Sequence, residues 1–152
     1  MRVSAKVDYA VRALAELAAA AGKGPVKGEA IAAAQDIPLN FTENILSDLR
    51  RAGIVASQRG AVGGYWLAVG AQTVTVADVI RYVEGPLADV RGEPPEDTAY
   101  RGAATSLGDV WIAARAALRS VLEDVTIADI AAGRLPPGVT HLAHDPDARS
   151  RR

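Results

Sequence analysis

The sequence has no cysteine among its 152 residues, which rules out disulfides, thiolate nucleophiles and cysteine-held metal clusters together. Aromatic residues make up only 5% of the chain and methionine occurs once, so a core must be built largely from Ala, Val, Leu and Ile. Such a core is thin per helix, and burial against a partner chain would help to stabilise it. No apolar run approaches the roughly 18 residues of a membrane span. Asp8, Arg12 and Glu16 break up the amino-terminal stretch that a signal peptide would need. The chain is therefore expected to be soluble and cytoplasmic. Histidine is scarce too: His141 and His144 both lie near the carboxyl end. With no His in the body there is no Ser/His or Cys/His arrangement, and no enzymatic activity is expected.

What is present is unevenly distributed. The formal net charge is −1. Residues 1–69 nevertheless carry eight Lys/Arg against six Asp/Glu, whereas residues 70–152 carry nine against twelve. Phosphate binding depends on where cations cluster and not on the total, so the first half is compatible with nucleic acid.

Apolar positions Val7, Ala10, Val11, Leu14, Leu17, Ala18 and Ala21 recur at helical spacing. Ser4 is placed to cap that helix, and Gly22 and Gly24-Pro25 stop it. A short helix over about 28–34 follows, anchored by Ile31, and then a tight connection through Pro38. The third helix, over about 39–51, shows Phe41, Ile45 and Leu49 every fourth residue, with Leu46 widening the stripe, and Gly53 ends it. The period then shifts. Ile54 to Ser57 and Tyr65 to Leu67 read as two strands around the glycine-rich turn 58–64, a β-hairpin. Three helices and a hairpin in this order make a winged helix-turn-helix. A helix over about 76–84 completes this domain, assigned to residues 1–84.

Residues 85–104, with Pro94-Pro95 amid charges, read as a flexible loop. In residues 105–133, Leu107, Trp111, Ala114, Leu118, Val121 and Val125 are alternately four and three apart, a heptad seam suited to dimerisation. Ser106 with Asp109 resembles a capping box at the start of that helix, and Arg119 and Glu123 form a candidate surface pair. Thr126 with Asp129 opens a last short helix ending at Gly133. Residues 134–152 read as a disordered tail, in which His141, His144, Asp145 and Asp147 suggest a weak metal site and, better, a solvated terminus. A small-molecule pocket near Trp111, Tyr82 and Tyr100 is a further candidate. The fold class expected is mainly α with a small β-hairpin, a winged helix-turn-helix plus a long carboxyl-terminal dimerisation helix.

The second helix of a helix-turn-helix offers polar side chains to base edges in the major groove. Here Asn40, Glu43, Asn44, Ser47, Arg50 and Arg51 lie off the apolar stripe. Asn can pair with adenine and Glu can accept from the cytosine amino group, while Arg50 and Arg51 are better placed for phosphates. The same face would also suit plain solvation. Arg59, at the hairpin tip beside Gly60, Gly63 and Gly64, suits a narrow minor groove, where negative potential is focused. The glycines are expected to let the backbone approach a partner closely. Asp48 opposes phosphate binding unless it turns aside toward Arg51 or Arg12.

Three stretches are similar to the Rrf family of winged-helix regulators: residues 7–14 (VDYAVRAL), 49–55 (LRRAGIV) and, most specifically, 59–67 (RGAVGGYWL). The similarity covers roughly residues 1–90, and residues 126–130 more loosely. It implies a homodimer on partly palindromic double-stranded DNA, with Asn40, Phe41, Glu43 and Asn44 reading the groove and Arg59 in the minor groove. Sensor members of the family hold an iron–sulfur cluster on three cysteines in the loop matching residues 92–104, sometimes with a carboxylate where Asp8 stands. Without thiolates that cluster is not carried over, and Asp8 is expected to be a surface or salt-bridge residue. No cofactor and no membrane partner are expected, and the effector, small molecule or protein, stays open. The competing reading is a winged-helix module that binds protein and does not read DNA, motivated by the acidic second half and by Asp48.

Overall fold

The computed structural model describes residues 2–150. Helix α1 (Ala5–Ala19) is the central element, with Val7, Ala10, Ala13, Leu14 and Leu17 buried. The Ser4 hydroxyl accepts the Val7 N–H at 3.2 Å, so the expected cap is formed. Helix α2 (Gly28–Gln35) buries Ile31 and ends at Asp36 in the left-handed region, φ 51°. Helix α3 (Leu39–Arg51) packs Thr42, Ile45, Leu46 and Leu49 inward. The expected stripe is corrected at one position, because Phe41 is 57% exposed while Thr42 is 1% exposed. A strict four-residue repeat drifts by about 40° around a helix at each step, so its first member swings off the buried line. Thr42 can take the inner place because its hydroxyl donates to the Pro38 carbonyl at 3.3 Å. Phe41 instead meets Tyr9 of α1 edge-on, with centroids 6.3 Å apart.

Strands β1 (Val55–Gln58) and β2 (Gly64–Leu67) pair antiparallel, Val55 opposite Leu67 and Gln58 opposite Gly64. Val26, just before α2, adds one antiparallel rung from outside the hairpin by exchanging two backbone hydrogen bonds of 2.8 Å with Tyr65. Glycine at 63 and 64 is required inside the chain. A Cβ on Gly63 would stand 2.1 Å from the Gln58 carbonyl oxygen, and one on Gly64 would stand 2.6 Å from that of Val26. These two glycines close the hairpin on itself and on Val26, whereas a Cβ on Gly60 would meet nothing within 4 Å.

Helix α4 (Val76–Glu84) and helix α6 (Ile127–Ala132) begin alike. Thr75 with Asp78, and Thr126 with Asp129, form complete capping boxes. The two caps are tied together, since Val76 N–H donates to Val125 O and Ile127 N–H to Val74 O, both at 2.9 Å. Ile127 is 0% exposed and belongs to the same core as Leu14, Leu46 and Val55. Partial burial pushes the Asp78 carboxyl upward, but hydrogen bonds from Thr75 and Arg81 outweigh it and hold it below its ordinary value. Hydrogen bonds from the Thr126 hydroxyl and amide lower Asp129 in the same way. A carboxyl lowered on folding stabilises fully above its unfolded pKa of about 4, and the contribution is lost as pH falls through the lowered folded value. The thermal midpoint is therefore expected to drop below about pH 4, and Asp78→Asn with Asp129→Asn should flatten that acid limb. An unaltered acid limb in the double variant would contradict this.

Helix α5 (Leu107–Leu122) has no buried residue. Ser106 makes no side-chain cap, contrary to expectation, because the chain enters already helical there (φ −76°, ψ −3°), after a 3-10 turn at Gly102–Ala104. Residues 85–104 are anchored where a flexible loop was expected. Leu87 is 6% exposed, Pro95 is buried, and Val90 and Glu93 exchange two backbone hydrogen bonds. The expected disordered tail contains helix α7 (Pro137–His144) and a 3-10 turn at Pro146–Arg149; its last two residues lie outside the described ones. Pro137 opens α7 with a pre-set φ at a position needing no N–H donor, and Val139 and Leu142 share one side. His144 Nδ1 lies 2.7 Å from the Thr140 carbonyl, and no group of three metal-ligating side chains occurs among the described residues.

Candidate nucleic-acid interface

Burying Thr42, Ile45, Leu46 and Leu49 turns the opposite side of α3 outward. Asn40, Glu43, Asn44 and Arg51 are exposed and Ser47 is half-buried, and these five fall on one face at spacings of three, four, seven and eleven residues. Arg50 lies beside that face and turns to the hairpin, its Nη1 donating to Ser57 Oγ at 3.2 Å. Pro38 caps α3 without a side-chain hydrogen bond, so no capping side chain compensates the positive end of the helix dipole.

One carboxylate beside this face is shared between two cations. Asp48 turns sideways and binds Lys6 of α1 at 2.8 Å as well as Arg51, but not Arg12. The Lys6 hydrogen bond, followed by that of Arg51, holds the Asp48 carboxyl below its ordinary value against an opposing effect of burial. One carboxylate thus meets two cations, and the local balance is positive. Arg12 is held elsewhere, by Asp8 at 3.1 Å and by the Gln35 side chain at 3.0 Å, and Asp8 is a salt-bridge residue as expected. Asp48→Asn is expected to free Lys6 and Arg51 for phosphates. Affinity for any duplex should rise modestly at low salt, with a steeper salt dependence. Unchanged binding across a salt series would show that the pair faces away from DNA.

At the hairpin tip Arg59 and Gly60 are exposed, and Arg59 makes no hydrogen bond or ion pair among the described residues. Lys27, which the sequence reading missed, joins it there: its Nζ donates to the Gly60 carbonyl at 2.8 Å. No local pattern announces Lys27. It reaches the tip because the Val26–Tyr65 rung lays the start of α2 along the hairpin.

Leu107, Trp111, Ala114, Leu118 and Val121 share one face of α5, whereas Val125 lies beyond the helix and is 6% exposed inside its own chain. Val125 is therefore removed from the candidate dimerisation seam, its place being set by the α4–α6 tie. Trp111, Ala114 and Leu118 also line a groove of about 390 Å³ with Val7, Ile80 and Leu87. This corrects the expected pocket, since Tyr82 and Tyr100 do not line it. Elsewhere on α5, Val110 and Ile112 are 54% and 40% exposed.

Comparison with known proteins agrees with this geometry. The profile of the Rrf2 family, described as "Iron-dependent Transcriptional regulator", matches residues 3–133. A protein of Mycobacterium tuberculosis (strain H37Rv), named as a candidate HTH-type transcriptional regulator, is 50% identical over 145 residues, 95% of this chain and 90% of its own length. The HTH-type transcriptional regulator CymR of Bacillus subtilis is 36% identical over 131 residues, 86% of this chain and 90% of its own. The solved structure of CymR, described as the global cysteine regulator of B. subtilis, superposes with a TM-score of 0.74 over 88% of this chain and 98% of that one, at 35% identity. T. potens IscR superposes at 0.69 over 100% and 93%, at 30% identity. The iron in the family description does not fit this donor set. The sequence has no thiolate, Asp8 is taken by Arg12, and Glu96 of the 85–104 segment is taken by Arg115.

Proposed function

The chain belongs to the Rrf2 family of transcriptional regulators, and on that premise we propose that it acts as a homodimer that recognises a partly palindromic DNA site without an iron–sulfur cluster. In each copy Asn40, Glu43, Asn44 and Ser47 read base edges in the major groove, with Phe41 at the margin of that surface. Arg50, Arg51 and Lys27 engage phosphates, and Arg59 with Gly60 enters the adjoining minor groove. The two copies join along α5, whose apolar surface, Trp111 and Val110 included, stays uncovered within one chain. Such a dimer represses by occupying DNA that polymerase needs, and works in the cytoplasm, where the DNA is.

The observation that carries this reading is the unpaired Arg59 on a thin hairpin beside an outward polar helix face. The pairing of Asp48 with two cations removes one of the two reasons for a module that binds protein alone. Selection of bound duplexes from a random pool tests the reading, with sedimentation of the protein measured in parallel. Enrichment of an inverted repeat and a mass of two chains are expected. A monomer that enriches no sequence would refute the proposal and favour the protein-binding alternative.

A further inference from the structure

A second cationic cluster lies away from α3 and the hairpin. Arg81 of α4 and Arg115 and Arg119 of α5 line a depression of about 430 Å³, walled by Gly85, Pro86 and Leu87 and bordered by Glu96. The lining thus holds three guanidinium groups against one carboxylate. Arg115 spends one nitrogen, Nη2, on Glu96 at 2.6 Å. Arg119 spends only Nε, on Glu123 at 2.9 Å. Arg81 is the most engaged, reaching Asp78 at 3.2 Å and also Glu123. The two terminal nitrogens of Arg119, with Nε and Nη1 of Arg115, make no hydrogen bond among the described residues. Planar guanidinium forks with unspent donors in a recess match the oxygens of carboxylate and phosphoryl groups. Glu96 already places one carboxylate there, as a bound anion would.

The geometry points to a binding site for a small polyanion, a molecule with two or more carboxylate or phosphoryl groups, held by Arg81, Arg115 and Arg119 in competition with Glu96. The consequence for regulation rests on the proposed function; the binding itself does not. Arg115 holds the 3-10 turn at Pro95–Asp97 through Glu96, and Arg81 joins α4 to α5 through Glu123. A ligand that displaces Glu96 releases the first contact and bears on the second, the link between the DNA-reading body and α5.

Titration calorimetry of the full chain with citrate and, separately, with inorganic pyrophosphate at constant ionic strength tests the site. Saturable binding of at least one probe is expected, and the pair tells carboxylate from phosphoryl preference. Arg119→Gln should weaken that binding about tenfold. Glu96→Gln, which removes the internal competitor, should tighten it several-fold. Opposite shifts in the two variants cannot come from misfolding. No saturable heat with either probe, or equal affinity in parent and both variants, would overturn the site. DNA plays no part in this experiment, so its failure and failure of the DNA reading are separable.

Discussion

Arg59→Ala is expected to weaken binding to a selected duplex by about 1–3 kcal/mol, with little effect on folding. The side chain is exposed and has no internal partner among the described residues, so its removal leaves the hairpin intact. If it enters a narrow minor groove, the loss should be greatest on sites with A/T-rich flanks, where that groove is tightest. If it touches only phosphate, the loss should instead be uniform across sequences, with the salt slope reduced by about one. Fluorescence anisotropy on both kinds of duplex at several salt concentrations separates the two. Unchanged affinity on every duplex would remove Arg59 from the interface.

Ile127→Ala is expected to cost about 2–5 kcal/mol of folding stability, a fall in thermal midpoint on the order of 10 °C for a chain of this size. Ile127 is fully buried in the core shared with Leu14 of α1, so truncation leaves a cavity at the joint between the first and last parts of the fold. Thr126→Ala, one residue away, removes only a cap and should cost about 1 kcal/mol. A comparison of their melting curves checks the ranking. Equal losses would mean that α6 is held by its cap and not by its apolar anchor.

These expectations depend on contacts that differ in how readable they were from the residues alone. The hairpin was legible from two strand-like stretches around a glycine-rich turn, and the Ser4 cap, the Thr126–Asp129 box and the Arg119–Glu123 pair were legible because partners three or four residues apart on a helix can meet. The polar face of α3 was legible for the same reason, apart from the exchange of Phe41 for Thr42, which a four-residue repeat cannot distinguish. What escaped was set by distant parts of the chain. Val125 continues the heptad spacing of α5, yet its backbone is drawn into the α4–α6 tie. Lys6 finds Asp48, Lys27 finds Gly60, and Arg81 finds Glu123 only once the helices have packed. The ordered 85–104 segment depends likewise on Leu87 and Pro95 reaching apolar ground, which no local composition announces.

The hairpin is fastened at two points, by the Val26–Tyr65 rung one pair below the closing Gln58–Gly64 pair and by Lys27 on the Gly60 carbonyl at its tip. A finger clamped in this way is a stub and not a hinge. Where a duplex does not match its reach, the adjustment falls on the nucleic acid, which must narrow, twist or bend toward it. Sequences that deform easily are then favoured even at base pairs no side chain touches, and discrimination extends past the footprint of the contacts themselves.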